Sequence, residues 1–383
     1  MSSPDEILEK FKIAIEEINL TSKNFSLVTL IRESKSSKIY KGILSEAWQY
    51  RTVAIKRMSV DKEQLSSMIR QELLVALTLN QENIIPFFGY SQKDEKDLIL
   101  VTEYAENGSL DQFLRDPDRR PTWEERLKIC IGAARGLQHL HDGLQDERRV
   151  IHRNFKTANI LLDKNLNAKI CGFDFSMAVD PTEPKVDHAV GTLSYLDPVY
   201  YESGIVNTEL DVYSFGAVLF EMLAGMLVYN GNNIDDVHPQ TLINLDRNDG
   251  LDKLIDSSVR INLNMLSFKV FREIAYKCMS LKLDERPTMK MIAMSRAVLR
   301  HVQKNSGSIS IFPELRFDFD LSRIRWCAAC FGLSFAAQVL RRIAGSISSR
   351  ILNRLFEFTE DISEIPFVQE LVSDSVILLI QEH

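Results

Sequence analysis

Five short segments, set in a fixed order between residues 53 and 289, constrain this chain more than any other feature. They are Val53–Lys56 (VAIK), Leu100–Tyr104 (LVTEY), Ile151–Asp163 (IHRNFKTANILLD), Asp211–Gly216 (DVYSFG) and Glu285–Met289 (ERPTM). A single VAIK is a weak signal, whereas the order and spacing of the whole set are highly specific. The prediction therefore rests on the series and not on any one member.

Hydrophobic periodicity divides the region around these segments into two parts. Short apolar segments alternate with turns from Phe25 to Tyr104, and Lys62–Leu79 carries apolar side chains at helical spacing. From Leu110 to Leu299 long helical patterns dominate. The sequence predicts a small sheet with one helix, then a mostly helical lobe, then a tail that follows the polar joint NSGSIS at residues 305–310.

Charge and cysteine content argue against several classes of protein. The 383 residues carry a formal net charge of -7 at pH 7, whereas proteins that bind nucleic-acid backbones carry a basic surplus. The five scattered cysteines suit reduced thiols better than a disulfide framework. The first residues predict neither a secretory signal nor a myristoylated glycine, and the longest apolar run is too short to span a bilayer. We therefore expect a cytoplasmic protein that does not bind nucleic acid.

The ordered segments resemble those of protein kinases over roughly Asn24 to Arg300. The lead-in FKIAIEEINLTSKNF and the phrases ICIGAARGLQHLH, GTLSYLDPVYY and DVYSFGAVLFEML are similar to the plant receptor-like and Pelle group, which includes receptor-like cytoplasmic kinases. The resemblance implies an α+β, bilobal protein-kinase fold with a β-rich N-lobe containing one helix, a helical C-lobe and a C-terminal extension. The expected boundaries are 1–24 for the lead-in, 25–105 for the N-lobe, 106–302 for the C-lobe and 303–383 for the tail.

The resemblance also implies a set of nucleotide-binding positions. Lys56 is expected to hold phosphates with Glu72 as its ion-pair partner, and backbone groups of Glu103 and Ala105 to hold adenine. The full set is Ile31, Ile39, Ala54, Lys56, Glu72, Thr102, Glu103, Ala105 and Leu161. A structural interpretation of Lys56 and Glu72 stands beside this one, in which the pair only holds the helix against the sheet.

The glycine-rich loop of the family is missing its glycines. The pattern I-G-x-G-x-F-G-x-V-Y-K-G aligns with Ile31–Gly42, where Arg32, Ser34 and Ser37 replace the three phosphate-facing glycines. Glycine serves there because backbone amides must approach the phosphates closely. We therefore expect ATP to bind weakly.

The catalytic loop keeps its shape but lacks its base. Asn154 stands where the resemblance places the catalytic aspartate, while Lys156 and Asn159 match the family. An amide is no base, and loss of a general base slows a reaction by about two to four powers of ten.

The metal position has lost its carboxylate as well. Residues 172–174 are G-F-D in place of D-F-G, so Gly172 replaces the magnesium ligand. Asp174, two residues along, is the candidate substitute, and it would need a local register shift to reach the ion. Asn159 alone is a poor ligand because Mg²⁺ prefers anionic oxygens and water.

Two further positions bear on the fold of the C-lobe. Val199 replaces the glutamate that pairs with Arg286 in the family, which leaves Arg286 either solvated or paired with another acid such as Glu202. Asp211 is expected to anchor the catalytic loop by accepting backbone hydrogen bonds.

The tail and the segment before Pro198 suggest regulation. Residues 321–356 hold six arginines without an acid and an apolar helical pattern, which fits either packing on the C-lobe or contact with an anionic membrane at the inner face of the plasma membrane. Cys327 and Cys330 are candidate palmitoylation sites there. Thr182 and Thr192 are candidate phosphate acceptors.

These departures favour a pseudokinase that signals as a scaffold or regulator. Its expected partners are active receptor-like kinases or immune or growth receptor complexes. The alternative is a weakly active ATP-dependent serine/threonine kinase that uses Lys56, Asn159 and a displaced Asp174. A third, intermediate hypothesis is a pseudokinase that binds ATP only as a structural ligand.

Overall fold

The computed structural model describes residues 9–34, 37–59, 81–92, 94, 96–116, 118–143, 148–183, 185–225, 255–260, 263 and 265–294. The chain divides into two units, residues 1–307 and 308–383, and every described residue belongs to the first. The predicted helix Lys62–Leu79, with Glu72, and the predicted tail lie outside the described residues. No helix among the described residues is both long and apolar enough to cross a membrane.

Short strands and a lead-in helix form the N-lobe. Helix α1 spans Ile15–Thr21, and the strands are β1 Leu30–Glu33, β2 Ser37–Ile43, β3 Thr52–Ser59, β4 Phe87–Gln92 and β5 Asp97–Glu103. They form one antiparallel sheet in the order β1-β2-β3-β5-β4. The predicted β-rich N-lobe is confirmed.

Alternation along β3 sorts core residues from cleft residues. Val53 and Ile55 are fully buried and pack with Ile13, Ile18 and Tyr40. Successive side chains in a strand point to opposite faces, so Ala54 and Lys56 lie on the other face of the sheet.

The lead-in extends the sheet at its β4 edge. The Ile13 amide donates to the Tyr90 carbonyl (2.7 Å), and the Tyr90 amide donates to the Phe11 carbonyl (2.9 Å). Gly89 permits this approach, because a Cβ there would overlap the Phe11 carbonyl oxygen. The lead-in is therefore part of the N-lobe core.

Helices dominate the C-lobe. They are α2 Leu110–Arg115, α3 Trp123–His141, α4 Pro198–Ser203, α5 Thr208–Ala224, α6 Ser257–Arg260, α7 Met265–Cys278 and α8 Met289–Met294. Short strands separate them: β6 Arg149–Ile151, β7 Ile160–Leu162, β8 Ala168–Ile170, β9 Met177–Val179, β10 Lys185–Val186 and β11 Ile205–Val206. A capping box between Thr122 and Glu125 starts α3. The predicted helical lobe is confirmed.

Arg286 has a buried partner that the sequence analysis did not name. Its Nη1 and Nη2 atoms donate to Asp197 Oδ2 and Oδ1 at 2.6 and 2.9 Å, and the two side chains are 0% and 1% exposed. The expectation that another acid pairs with Arg286 is confirmed, whereas the alternative of a solvated Arg286 and the choice of Glu202 were wrong. The substitute lies two residues before Val199, at the N-cap of α4, where its carboxylate also accepts the Val199 amide (3.0 Å).

Candidate nucleotide and catalytic cleft

Asp211 anchors the catalytic loop, as the sequence predicts. Its buried carboxylate accepts the backbone amides of His152 (2.7 Å) and Arg153 (2.9 Å) and contacts His141 Nε2 (2.9 Å). Burial lowers the pKa of His152, so its ring is neutral at pH 7. The ring then donates from Nε2 to the Cys171 carbonyl (3.0 Å) and accepts the Asn154 amide at Nδ1 (3.3 Å). The loop backbone is held independently of any substrate.

Asn154 and Lys156 meet through a threonine. The Thr192 hydroxyl donates to Asn154 Oδ1 (3.0 Å) and accepts from Lys156 Nζ (2.7 Å), while Asn159 Nδ2 donates to the Asn154 carbonyl (2.8 Å). Burial lowers the pKa of Lys156, and the nearby Arg32 charge adds to that effect. The arrangement can position a hydroxyl group, but the Asn154 amide cannot take its proton.

The two candidate phosphate acceptors differ in their surroundings. The Thr192 hydroxyl is engaged in the contacts just described, whereas Thr182 lies in an exposed turn where its hydroxyl donates to Asp180 Oδ1 (2.6 Å). Phosphorylation at either threonine stays a prediction, with Thr182 the more accessible.

Gly172 has a left-handed conformation, and the space for a side chain on it is filled. Its φ and ψ are 80° and 53°, and a Cβ placed there would lie 2.8 Å from Asn159 Cγ and Oδ1. A carboxylate therefore cannot be accommodated at residue 172 without moving Asn159.

Asp174 lies in the cleft against Lys56. Its Oδ2 accepts from Lys56 Nζ at 2.7 Å, and its Oδ1 is buried without a hydrogen-bond partner among the described residues. The sequence paired Lys56 with Glu72, which lies outside the described residues. The contact between Lys56 and Asp174 was missed, because Asp174 lies two residues after the position at which the family pattern places its carboxylate.

The donor set does not fit Mg²⁺. One oxygen of Asp174 is engaged by Lys56, Asn159 occupies the position of the missing carboxylate, and the described residues contain no group of three or more His, Cys, Asp or Glu side chains suited to a metal. Among the described residues, Asp174 Oδ1 is a buried oxygen without a hydrogen-bond partner, and it is the oxygen that this carboxylate could offer to a cation. Mg²⁺ is a hard cation that requires several oxygen ligands, and these residues supply too few of them.

The sheet register brings four of the nucleotide-binding candidates to one face. Ile39 pairs with Lys56, and Ala54 pairs with Thr102, so these four side chains share the cleft face of β2, β3 and β5. Ile31 follows on β1 and is 37% exposed. These four candidates therefore line one surface, whether or not it holds nucleotide.

The remaining candidates lie on the connection between the lobes and below it. Glu103 ends β5 and its carboxylate pairs with Lys169 (3.4 Å), and Ala105 is buried, with its carbonyl accepting the Gly108 amide (3.1 Å). Leu161 on β7 forms a backbone bridge with Ser109.

The β1–β2 hairpin has polar contacts where the family has glycine. The Ser34 amide donates to the Ser37 carbonyl (2.8 Å), and their hydroxyl groups lie 3.1 Å apart. Arg32 extends to Asp111, with Nη2 to Oδ2 at 2.9 Å, and its Nη1 donates to Ser109 Oγ (3.1 Å). Ser109 and Asp111 could not be predicted from the sequence, because neither belongs to a recognised motif.

Arg153 holds the segment before Pro198 in place. Its guanidinium donates to Asp187 Oδ2 (3.0 Å), the His188 carbonyl (3.0 Å) and the Tyr200 hydroxyl (2.6 Å). Burial by itself raises the pKa of Asp187, but the Arg153 charge, the hydrogen bond from the His188 amide and the hydrogen bond from Arg153 together outweigh it and hold that pKa below the ordinary value. The contact between Arg153 and Asp187 therefore orders the segment before Pro198 with a carboxylate in place of a phosphate group.

The Asp187 contact makes stability depend on pH. A depressed pKa means that the contact stabilises the folded protein above the ordinary aspartate pKa of about 3.9 and that the effect is lost as pH falls through the depressed pKa. We expect Asp187→Asn to lower the urea midpoint at pH 7, and this difference to shrink as pH falls below the ordinary aspartate pKa and through the depressed pKa. A midpoint difference that does not shrink as pH falls through this range would contradict the assignment.

Removing Lys56 is expected to destabilise the protein as well as alter the cleft. Lys56→Met leaves the Asp174 carboxylate, which is 15% exposed, without this ammonium, and we expect a loss of about 1 to 3 kcal/mol in the free energy of unfolding. A double-mutant cycle with Asp174→Leu isolates this pair from the other contacts of Lys56. Urea unfolding measures the four proteins, and additive single effects would show that the pair is not coupled.

Comparison with known proteins settles the family. The profile described as protein tyrosine and serine/threonine kinase matches residues 25–295. The chain belongs to the protein kinase family. Among kinase relatives of Arabidopsis thaliana, receptor-like protein kinase HERK 1 is 34% identical over 293 residues, covering 73% of this chain and 34% of the relative. Receptor-like protein kinase THESEUS 1 is 33% identical over 306 residues, covering 77% and 34%. Wall-associated receptor kinase 3 is 34% identical over 311 residues, covering 79% and 41%.

The relatives bear on the predictions in two ways. They confirm the resemblance to plant receptor-like kinases, and all three are named as kinases. The chain spans no more than 41% of the length of these relatives, so their whole-protein properties do not carry over directly.

Proposed function

We propose that this kinase-family chain is a pseudokinase that acts as a signalling scaffold or regulator. The observation that carries the proposal is the metal position, where Gly172 has no side chain and Asn159 fills the space that one would need. Asn154 supports it, because the position of the catalytic base holds an amide within an otherwise ordered network. ATP is expected to bind weakly and Mg²⁺ poorly.

The ordered segment around Arg153 supports binding to other proteins. It exposes Leu193, Val186 and Tyr201, which are 74%, 68% and 65% accessible. Apolar and aromatic side chains on a rigid surface are the kind of groups that anchor protein interfaces. We propose that the partners are active receptor-like kinases or their receptor complexes in the cytoplasm, with residues 321–356 adding contact to an anionic membrane.

Binding is tested with the purified kinase domains of HERK 1, THESEUS 1 and wall-associated receptor kinase 3. Biolayer interferometry is expected to detect saturable binding of at least one domain by the unmodified chain and its loss with Leu193→Asp. Leu281→Asp is the matched control, because Leu281 is also exposed (60%) but lies outside this segment. Absence of binding to all three domains, or equal loss with both variants, contradicts the proposed partner surface.

A second candidate function is weak serine/threonine phosphotransfer. The contact between Asp174 and Lys56 favours it, because it places beside Lys56 a carboxylate with one oxygen that has no hydrogen-bond partner among the described residues. Incorporation of phosphate that is lost with Asp174→Asn would establish this candidate in place of the first.

A further inference from the structure

Arg32 makes a two-point contact across the cleft. Its Nη1 and Nη2 atoms donate to Asp111 Oδ1 and Oδ2 at 3.2 and 2.9 Å, and Nη1 also donates to Ser109 Oγ at 3.1 Å. The Asp111 side chain is 5% exposed and that of Arg32 is 35% exposed. A planar guanidinium that meets both oxygens of a carboxylate forms one of the stronger charge-assisted contacts in proteins.

The contact spans the two sides of the cleft at its mouth. Arg32 follows Ile31 on β1, above the cleft, whereas Ser109 is bridged through its backbone to Leu161 on β7, below it. Ile31 and Leu161, on these two elements, are both among the nucleotide-binding candidates. Arg32 pairs with Ile39, and Ile39 pairs with Lys56, so the Arg32 side chain lies on the cleft face of the sheet.

Asp111 gives the contact its strength. A carboxylate this deeply buried is unfavourable without a charged or hydrogen-bonding partner. Ser109 Oγ donates to Asp111 Oδ1, and Arg32 supplies the positive charge. A ligand that displaces the guanidinium leaves Asp111 without that charge, so the closed arrangement resists entry. Glycine at residue 32, as in the family pattern, has no side chain to make this contact.

We propose that Arg32 and Asp111 form a latch that closes the nucleotide cleft and takes the place of a bound nucleotide as the link between its two sides. The proposal rests on the proposed function, since a chain that signals by binding requires no open cleft. It adds a cause: the cleft excludes nucleosides because the chain occupies its own entrance, independently of the missing catalytic groups.

The latch is tested with adenosine, which carries no phosphate and so does not respond to the change in net charge. Isothermal titration calorimetry compares the unmodified chain with Arg32→Gly and Asp111→Asn. Lys38→Ala is the matched control, because it breaks the exposed ion pair with Glu33 (2.7 Å) on the same hairpin without touching the C-lobe. Both latch variants are expected to bind adenosine at least about tenfold more tightly than the unmodified chain, since a larger fraction is open, and Lys38→Ala to match it.

Hydrogen exchange gives a second measurement that needs no ligand. Opening the latch is expected to speed amide exchange in peptides of the β1–β2 hairpin for Arg32→Gly and Asp111→Asn, but not for Lys38→Ala. If neither latch variant gains affinity or exchanges faster, the latch is overturned, while the proposed function stands. If the unmodified chain transfers phosphate and the latch variants still gain affinity, the proposed function fails and the latch stands.

Discussion

Replacing Asp197 by alanine is expected to lower the free energy of unfolding by about 3 to 5 kcal/mol, because it leaves the Arg286 charge buried without its carboxylate. The pair is almost fully inaccessible, with side chains 0% and 1% exposed. The Arg286 guanidinium also donates to the carbonyls of Ser280 (2.8 Å) and Glu209 (2.9 Å), so it cannot swing into solvent without losing those bonds. Urea unfolding followed by far-UV circular dichroism measures the loss.

An exposed ion pair is the control for this prediction. Arg135 and Glu82 are 37% and 72% exposed, and Arg135→Ala is expected to change stability by at most about 1 kcal/mol. The double variant Asp197→Leu with Arg286→Met is expected to recover part of the loss, because neither partner is then buried alone. If the Asp197→Ala protein is as stable as the Arg135→Ala protein, then the buried Arg286 does not depend on Asp197 as its ion-pair partner.

Removing the carboxylate of Asp211 is expected to produce the second large effect. Asp211→Ala leaves the His152 and Arg153 amides and the His141 ring without their acceptor, at about 1 to 3 kcal/mol for each buried group left unpaired. We expect a total loss of about 3 kcal/mol or more in the free energy of unfolding. The amides of residues 152 and 153 are expected to exchange with solvent faster than in the unmodified chain.

Asp180→Ala is the comparison for Asp211. Its carboxylate also accepts a backbone amide, that of Thr182 (2.8 Å), but in an exposed turn. Its urea midpoint is expected to stay close to that of the unmodified chain. If Asp211→Ala behaves in the same way, the catalytic loop is not anchored through this carboxylate.

Patterns along the chain predicted the lobes, the cleft face and the anchor. The period of two in β3 places Ala54 and Lys56 opposite the core residues Val53 and Ile55, and this is visible in four letters of sequence. The role of Asp211 followed from the resemblance and is confirmed by its two backbone contacts. Where the local pattern sets the direction in which a side chain points, the sequence is sufficient to predict the face on which that side chain lies.

The sequence could not name three ion-pair partners. Asp197 and Arg286 are 89 residues apart, Lys56 and Asp174 are 118 apart, and Arg32 and Asp111 are 79 apart. The packing of distant elements brings these residues together, and no local pattern records it. Asp197 takes the place of the family glutamate at Val199, whereas Arg32 stands at a glycine position and Asp174 adds a contact to Lys56.

The central claim is that this kinase-family chain does not signal by phosphotransfer. The most direct measurement is incorporation of radiolabelled phosphate from ATP, with Mg²⁺ or Mn²⁺, into the chain itself and into a basic protein substrate. The unmodified chain is compared with the double variant Lys56→Met with Asp174→Asn, and a kinase domain of THESEUS 1 is assayed in parallel. The account predicts the same background incorporation for the unmodified chain and the double variant. Incorporation by the unmodified chain above that background, lost in the double variant, would contradict it.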